Sequence, residues 1–362
     1  MKKILFTLLF LITSTLAWCQ ATDTPLRVGV AGVTHDHLGG GVSRMKRGDI
    51  QVVGVWEAND KYRNNNSLTG KIDNRRFFKR LEDMLDQTKP EVVVAYGSIL
   101  DHMKVVEACA PRHIHVMVEK PLATTYKQAM RMSELAKKYG IKILTNYETT
   151  WYATNHQAKK MVDSGQLGHI NRINVYDGHE GPIELGCSKK FTDWLTDPMQ
   201  NGGGAVIDFG CYGANLATWL MKGQKPTSVY AVLQQNKPTV YPKVDDDATI
   251  VLEYPNTTVL IMASWCWPTS RKDMYIYGDK GYIYQHTGTQ METMIDGKRQ
   301  AAFKAPALPY PYDDSMSYLK AVLRGKINMD PTDLSALENN LTVVQILEAA
   351  IESNRTGKAI KL

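Results

Sequence analysis

The sequence predicts an α/β fold in two parts: a doubly wound parallel sheet first, then an α+β domain with a large, mainly antiparallel sheet. Three observations carry this. From Leu26 to about Ile143, short β-branched runs alternate with helix-length polar-apolar segments, the pattern of βαβ units. After about Asn146 the runs lengthen and take on period-two character between turn signals, as strands wetted on one face do. A chain of 362 residues, 43% of them hydrophobic, has material for two sizeable cores and shows no collagenous, disordered or disulfide-rich bias.

Ahead of the first strand, Lys2 and Lys3 precede an apolar segment from Ile4 to Trp18, followed by Cys19-Gln20-Ala21 and a polar stretch. This reads as a signal peptide over residues 1–19, too short and wrongly flanked for a spanning helix. Leu16-Ala17-Trp18-Cys19 loosely matches a lipoprotein box, but the bulk of Trp18 favours soluble export, to the periplasm or beyond, over an anchor at Cys19. No other apolar stretch approaches spanning length. The formal charge of +6 falls to about +4 without the two leader lysines, and the remaining basic residues alternate with acidic ones, which argues against nucleic acid as a partner. Cys109, Cys187, Cys211 and Cys266 show neither metal nor dithiol spacing. Buried free thiols are expected, with one disulfide left open.

The first domain, 25–145, contains strands at Leu26 to Ala31, Val52 to Trp56, Val92 to Tyr96 and Ile114 to Val118. The second, 146–330, contains Ile170 to Tyr176, Thr227 to Gln234, Ala248 to Tyr254, Thr258 to Trp265 and Met274 to Tyr277. Pro331-Thr332-Asp333 opens a last helical stretch, 331–362, whose apolar face is expected to pack across both domains. An open sheet face makes self-association through the second domain an expectation.

Val28-Gly29-Val30-Ala31-Gly32 ends a strand ahead of a polar turn, where a Rossmann fold sets its pyrophosphate. The fingerprint is incomplete: counted from Gly32, Thr34 and His37 stand where glycines are usual. A glycine turn without ligand is the plain alternative. Glu57, 25 residues beyond Gly32, sits where an acid holds the adenosine ribose and repels a 2′-phosphate, favouring NAD. Lys61 and Arg63 keep NADP open. His35-Asp36-His37 offers metal-competent side chains, but consecutive residues rarely converge on one ion and no separated partner is evident. A phosphate- and substrate-contacting turn is the better reading, with no metal.

Glu119-Lys120-Pro121 ends the strand Ile114 to Val118, placing an ammonium and a carboxylate at a strand tip, where open parallel sheets keep their chemistry. The alternative is a solvated pair capping a helix that begins at Pro121. Farther on, Gly202-Gly203-Gly204 leads into a helix carrying Asp208 and Tyr212 four residues apart, hence on one face. A phenol and a carboxylate so placed can move a proton to and from an alcohol oxygen.

Taken together, Gly29-x-x-Gly32, Glu57, His102, Val118-Glu119-Lys120-Pro121-Leu122-Ala123 and the triple-glycine segment through Tyr212 resemble the Gfo/Idh/MocA family of sugar oxidoreductases over nearly the whole mature chain. The resemblance implies a cofactor site from Gly29, Gly32, Thr34, His35, His37, Glu57, Gly97, His102, Glu119 and Lys120. It implies that Lys120 lies at nicotinamide and substrate, that Asp208 contacts substrate hydroxyls and that Tyr212 is the acid/base. Tyrosine in place of the commoner histidine looks like the glucose-fructose oxidoreductase and dihydrodiol dehydrogenase branch. Thr34, His37 and Thr150, where many members carry arginine, depart from the pattern. Trp151, Tyr152, His179 and Trp194 are candidates to line a sugar pocket.

The implied reaction moves a hydride between a sugar or glycoside carbinol carbon and NAD or NADP, with Tyr212 exchanging the hydroxyl proton. Lys120 steadies the alkoxide and draws Tyr212 toward its phenolate. Nicotinamide nucleotides are not recycled outside the cytoplasm, so export implies a tightly held one. A redox-assisted glycoside cleavage, or a carbohydrate-binding protein that has lost turnover, remain open alternatives.

Overall fold

The computed structural model describes residues 24–362. The signal-peptide reading and Cys19 lie outside the described residues. The first sheet has six parallel strands, β1 (Leu26–Ala31), β2 (Ile50–Trp56), β3 (Phe77–Phe78), β4 (Val92–Ala95), β5 (His115–Glu119) and β6 (Ile143–Asn146), in the order β3-β2-β1-β4-β5-β6. Its strands are buried on both faces. Val28, Val30, Val92 and Met117 enter one apolar cluster, while Ala31, Val93, Val116 and Val118 enter another. That two-sided burial is why the strands read as continuous apolar runs. The order reverses between β1 and β4, and the crevice beyond their C-terminal ends is where such sheets bind ligands.

The second sheet has nine strands: β7 (Ile170–Gly178), β8 (Ser228–Gln234), β9 (Asp247–Glu253), β10 (Thr258–Ser264), β11 (Arg271–Gly278), β12 (Gly281–Gln285), β13 (Gln290–Ile295), β14 (Lys298–Lys304) and β15 (Ile360–Lys361). Their order is β14-β13-β12-β11-β7-β10-β9-β8-β15. The sheet is mostly antiparallel but mixed, because β7 and β10 pair in parallel at its centre. One face buries Val175, Ile250, Ile261 and Ile276 together with Leu216 of the helix Gly210–Leu220.

Local differences from the sequence reading have physical causes. The edge strand β14 is exposed along nearly its whole length, so ladder hydrogen bonds to β13 and not apolar alternation define it. The last helix begins at Leu337, later than expected, because Asp330 and Asp333 accept from the backbone N–H groups of Thr332 and Ser335 and hold turns there. No helix opens at Pro121. The next one spans Tyr126–Tyr139 and is capped by Thr125. Asp208 and Tyr212 do not share one helix either: Ala205–Asp208 and Gly210–Leu220 are separated by Phe209.

Candidate active site

Two clefts meet along the loop after β1. The larger, about 510 Å³, is lined by Lys120, Asp208 and Tyr212 together with Asp36, His37, Glu148, Tyr152, His179, Arg271 and Lys272. The smaller, about 290 Å³, is lined by Gly32, Thr34, Glu57, Gly97, Ser98, Lys104, Lys190 and Trp194. The helix Lys189–Leu195 contributes to both, Phe191 to the larger and Lys190 to the smaller.

Lys120 stands just beyond the tip of β5, nearly buried, and its peptide bond to Pro121 is cis. Its ammonium ion-pairs with the Asp208 carboxylate and donates to the Asp208 carbonyl at 3.0 Å. The other Asp208 carboxylate oxygen accepts from Trp265 Nε1 at 2.9 Å. Burial alone would neutralise both groups, but the pairing prevails: Lys120 is shifted up and Asp208 down, so both stay charged. The triple glycine permits this approach. A Cβ on Gly204 would lie 1.8 Å from the Asp245 carbonyl oxygen, so only glycine lets the chain pass and turn Asp208 inward.

The Tyr212 ring centroid lies 5.1 Å from Lys120 Nζ and 4.7 Å from Lys272 Nζ. The expectation that Lys120 draws Tyr212 toward its phenolate is overturned. Burial first, then Cys211, Glu148 and Asp208, push the phenol well above its usual range. The Lys120 charge is largely spent on Asp208. Tyr212 is therefore a protonated donor at neutral pH. His179 Nδ1 accepts from the Gly181 N–H at 2.9 Å, which puts the ring proton of neutral imidazole on Nε2 and makes it a second donor.

Of the four residues expected in the sugar pocket, Tyr152 and His179 line the larger cleft. Trp194 lines the smaller one instead, and Trp151 packs against Tyr318 while donating to Asn146 Oδ1 at 3.2 Å. Glu148 and Lys272 escaped the sequence reading. They form an ion pair, with the Tyr152 hydroxyl donating to Glu148 at 2.7 Å. The charged triplet Arg271-Lys272-Asp273 opening a strand was the available signal. Asp177, facing Lys272 across the β7/β11 ladder, is buried with Oδ2 unpartnered, and burial pushes its carboxyl up to about 8.

The smaller cleft fits a dinucleotide. Gly32 has φ +80° and a Cβ there would sit 2.6 Å from the Gly97 backbone nitrogen, so glycine is needed at position 32 for the chain to pass the loop after β4. Glu57, at the end of β2, accepts from the Val33 and Asn59 N–H groups at 3.2 and 2.9 Å, which aims its carboxylate along the cleft wall. Arg63 is committed to the Glu57 carbonyl and Asp60, so the cations lining this cleft are Lys104 and Lys190. Thr34 and His35 give their N–H groups to the Tyr96 carbonyl, so the departures in the fingerprint also change which donors face a phosphate.

Three expected cofactor contacts lie elsewhere. Gly29 is inside β1 against Val93 and Met84. His102 is fully buried in the helix Ile99–Cys109 with Nδ1 on the Leu122 carbonyl at 3.2 Å, and burial lowers it to about 4, so it supports the turn after Lys120 from beneath. Glu119 is buried between His37 Nδ1 at 3.0 Å and Asn146 Nδ2 at 2.9 Å. Burial would raise Glu119, but His37 and His35 and these hydrogen bonds bring it down to about 2. It supplies the separated partner that the His35-Asp36-His37 run lacked, with donor atoms of the three within 4.8 Å. Glu119 is already satisfied, and His35 Nδ1 accepts from the His37 N–H at 3.2 Å, so the trio is a hydrogen-bonded wall between the clefts. All four described cysteines are free.

Residues 26–147 match the family described as an oxidoreductase family with an NAD-binding Rossmann fold, and residues 155–284 match the GFO/IDH/MocA C-terminal domain. The chain is 24% identical over 278 residues to trans-1,2-dihydrobenzene-1,2-diol dehydrogenase of Xenopus laevis, covering 73% of this chain and 78% of that one. Its fold is similar to aldose-aldose oxidoreductase from Caulobacter crescentus complexed with glycerol, with TM-score 0.78, 20% identity, 93% of this chain and all of that one covered. It is also similar to an inositol dehydrogenase homolog from Azotobacter vinelandii complexed with NAD+, with TM-score 0.79, 18% identity and 94% and 98% coverage. A dinucleotide crevice at the β1/β4 reversal, NAD as the cofactor it takes, and matches that together span most of its length make this chain a member of the Gfo/Idh/MocA family of oxidoreductases.

Proposed function

We propose that the protein is an exported oxidoreductase that moves a hydride between the hydroxyl-bearing carbon of a sugar or glycoside and a tightly held nicotinamide. The observation that carries this reading is the Lys120–Asp208 pair beside Tyr212 in the larger cleft. NAD supplies the hydride acceptor or donor when bound. The chain's own groups manage the oxygen and its proton. Lys120 Nζ, fixed by Asp208, offers a charge-assisted hydrogen bond to the reacting oxygen as negative charge develops on it, worth about 3 kcal/mol of barrier. The Tyr212 hydroxyl gives its proton to that oxygen in the reducing direction and takes it back in the oxidising one. His179 Nε2–H is a donor for a neighbouring hydroxyl.

The sugar class rests on the mixture of carboxylate, ammonium, phenol and imidazole in one cleft, since a hydroxyl group both donates and accepts. Printed names of similar proteins, an aldose oxidoreductase with glycerol and an inositol dehydrogenase homolog, point the same way. Export rests on residues 1–19, and retention of the nucleotide on export. Self-association is proposed through the face of the second sheet that carries Tyr275 stacked on Tyr284 and the exposed Tyr230, with solution mass as its check.

Mass spectrometry of nucleotide released by denaturing the exported protein, followed by its redox response to a panel of sugars and glycosides, tests the reading. Protein that carries no nucleotide and binds none overturns it.

A further inference from the structure

The larger cleft holds two ion pairs where a single alcohol oxidation needs one. Lys120 and Asp208 form the first. Lys272 and Glu148 form the second, and both ammonium groups approach the same Tyr212 ring, at 5.1 and 4.7 Å. The second pair is built into the fold. Lys272 sits on β11, and Glu148 lies in the short turn Glu148–Trp151 just after β6, so the pair bridges the two sheets. Tyr152 donates to the same carboxylate, at 2.7 Å.

The charges of this cleft balance. Its lining carries Lys120, Arg271 and Lys272 against Asp36, Glu148 and Asp208, three of each sign with histidines taken as neutral. Arg271 is engaged twice by Asp273, at 2.6 and 2.7 Å, and Asp36 is engaged by Ser188. The Arg271 charge is thereby balanced by Asp273, while the Asp36 charge has no cation beside it among the described residues. What remains to meet a substrate is two donor-acceptor pairs and the negative charge of Asp36 at the margin, a lining with no excess of positive charge. A phosphate or carboxylate on the ligand would find no unpaired cation here, and would meet Glu148. A hydroxyl group can accept from Lys272 while donating to Glu148, as another does between Lys120 and Asp208.

We infer that Lys272 and Glu148 form a second hydroxyl-recognition point, which makes the enzyme select neutral polyhydroxylated ligands over their acidic or phosphorylated counterparts. This rests on the sugar reading above and adds the residues that set selectivity.

The test is calorimetric binding to the full mature chain with NAD added. The probes are methyl glycosides of glucose, galactose and mannose, each beside its uronic acid. The wild type is expected to prefer the neutral member of a pair by about tenfold or more, the scale of one charge-assisted hydrogen bond. Glu148→Gln should weaken the neutral sugar by about tenfold and strengthen its acid partner, while Lys272→Met should weaken both. Lys272→Arg, which keeps the charge, should recover part of the loss. Opposite signs for the acid sugar in the two variants are not produced by a general loosening of the fold, which thermal melting reads separately. Sugar binding that neither substitution changes overturns this inference and leaves the sugar reading standing. A wild type that prefers acid sugars does the same. No binding by any sugar overturns both.

Discussion

Lys120 and Asp208, 88 residues apart in the chain, form one buried unit in which the ammonium meets both the carboxylate and the carbonyl of the same aspartate, the latter at 3.0 Å. The pair joins the tip of β5 to the chain that leads into the helix Gly210–Leu220. It couples stability to chemistry, because removing either partner strands a charge in a nearly dry site. Lys120→Ala is expected to cost about 3–5 kcal/mol of stability and to lower turnover by about 10²–10³. Combining it with Asp208→Asn should return part of the stability and none of the turnover. Denaturant melts alongside single-turnover kinetics check this, and unchanged turnover in Lys120→Ala would sink the mechanism.

The Tyr212 hydroxyl has no hydrogen-bond partner among the described residues, although its ring is packed against Tyr147 at 5.5 Å. Tyr212→Phe should therefore leave stability within about 1 kcal/mol while turnover falls by roughly 10²–10⁴. Because burial and nearby negative charge hold the phenol above its usual value, the phenolate that accepts a proton during alcohol oxidation becomes more populated as pH rises. Oxidation should accelerate with pH up to at least about pH 10 with no plateau at neutrality. A pH profile that levels off near 7 would transfer the role to another group.

Asp177 provides a pH dependence of stability with a definite sign. Its folded pKa, about 8, lies above the unfolded value, so the folded state holds a proton that the unfolded state has released, and stability falls as pH rises toward 8. Buried His35 and His102 act oppositely and only below the ordinary histidine range, since their folded pKa values are depressed. Between about pH 6.5 and 8 Asp177 acts alone among these, contributing a decline of about 2 kcal/mol. Asp177→Asn should flatten that decline in melts taken across the window. An equal slope in both proteins would refute the assignment.

Asp36 accepts from the Ser188 N–H at 2.9 Å, and Lys190 Nζ reaches the Val33 carbonyl at 2.8 Å, so the loop after β1 is bolted to the helix that walls the smaller cleft. If this bolt holds the nucleotide, Asp36→Ala should release it about tenfold faster during dilution, the scale of one charge-assisted hydrogen bond. Nucleotide retained per chain after gel filtration measures it, and equal retention would leave the bolt with a purely structural role.

Much of the first sheet was legible because strands buried on both faces must be continuously apolar, and Gly32, Glu57 and Lys120 sit at strand ends that such runs mark. The exposed edge strand β14 was not legible, since pairing with β13 rather than burial sustains it. His102 matched a motif position and proved to be core, because sequence position does not say which way a helix faces.

The sequence by itself determined the two-sheet architecture and the crevice at the strand ends, because apolar periodicity and glycines at forced approaches are local properties, and its motifs made Lys120, Asp208 and Tyr212 candidates. Only the tertiary structure decided the protonation of Tyr212, the placing of Trp194 beside the nucleotide cleft, and the arrival of Lys272 and Glu148 opposite Lys120. Those depend on burial and on the summed field of charges far apart in the chain, which no local pattern records.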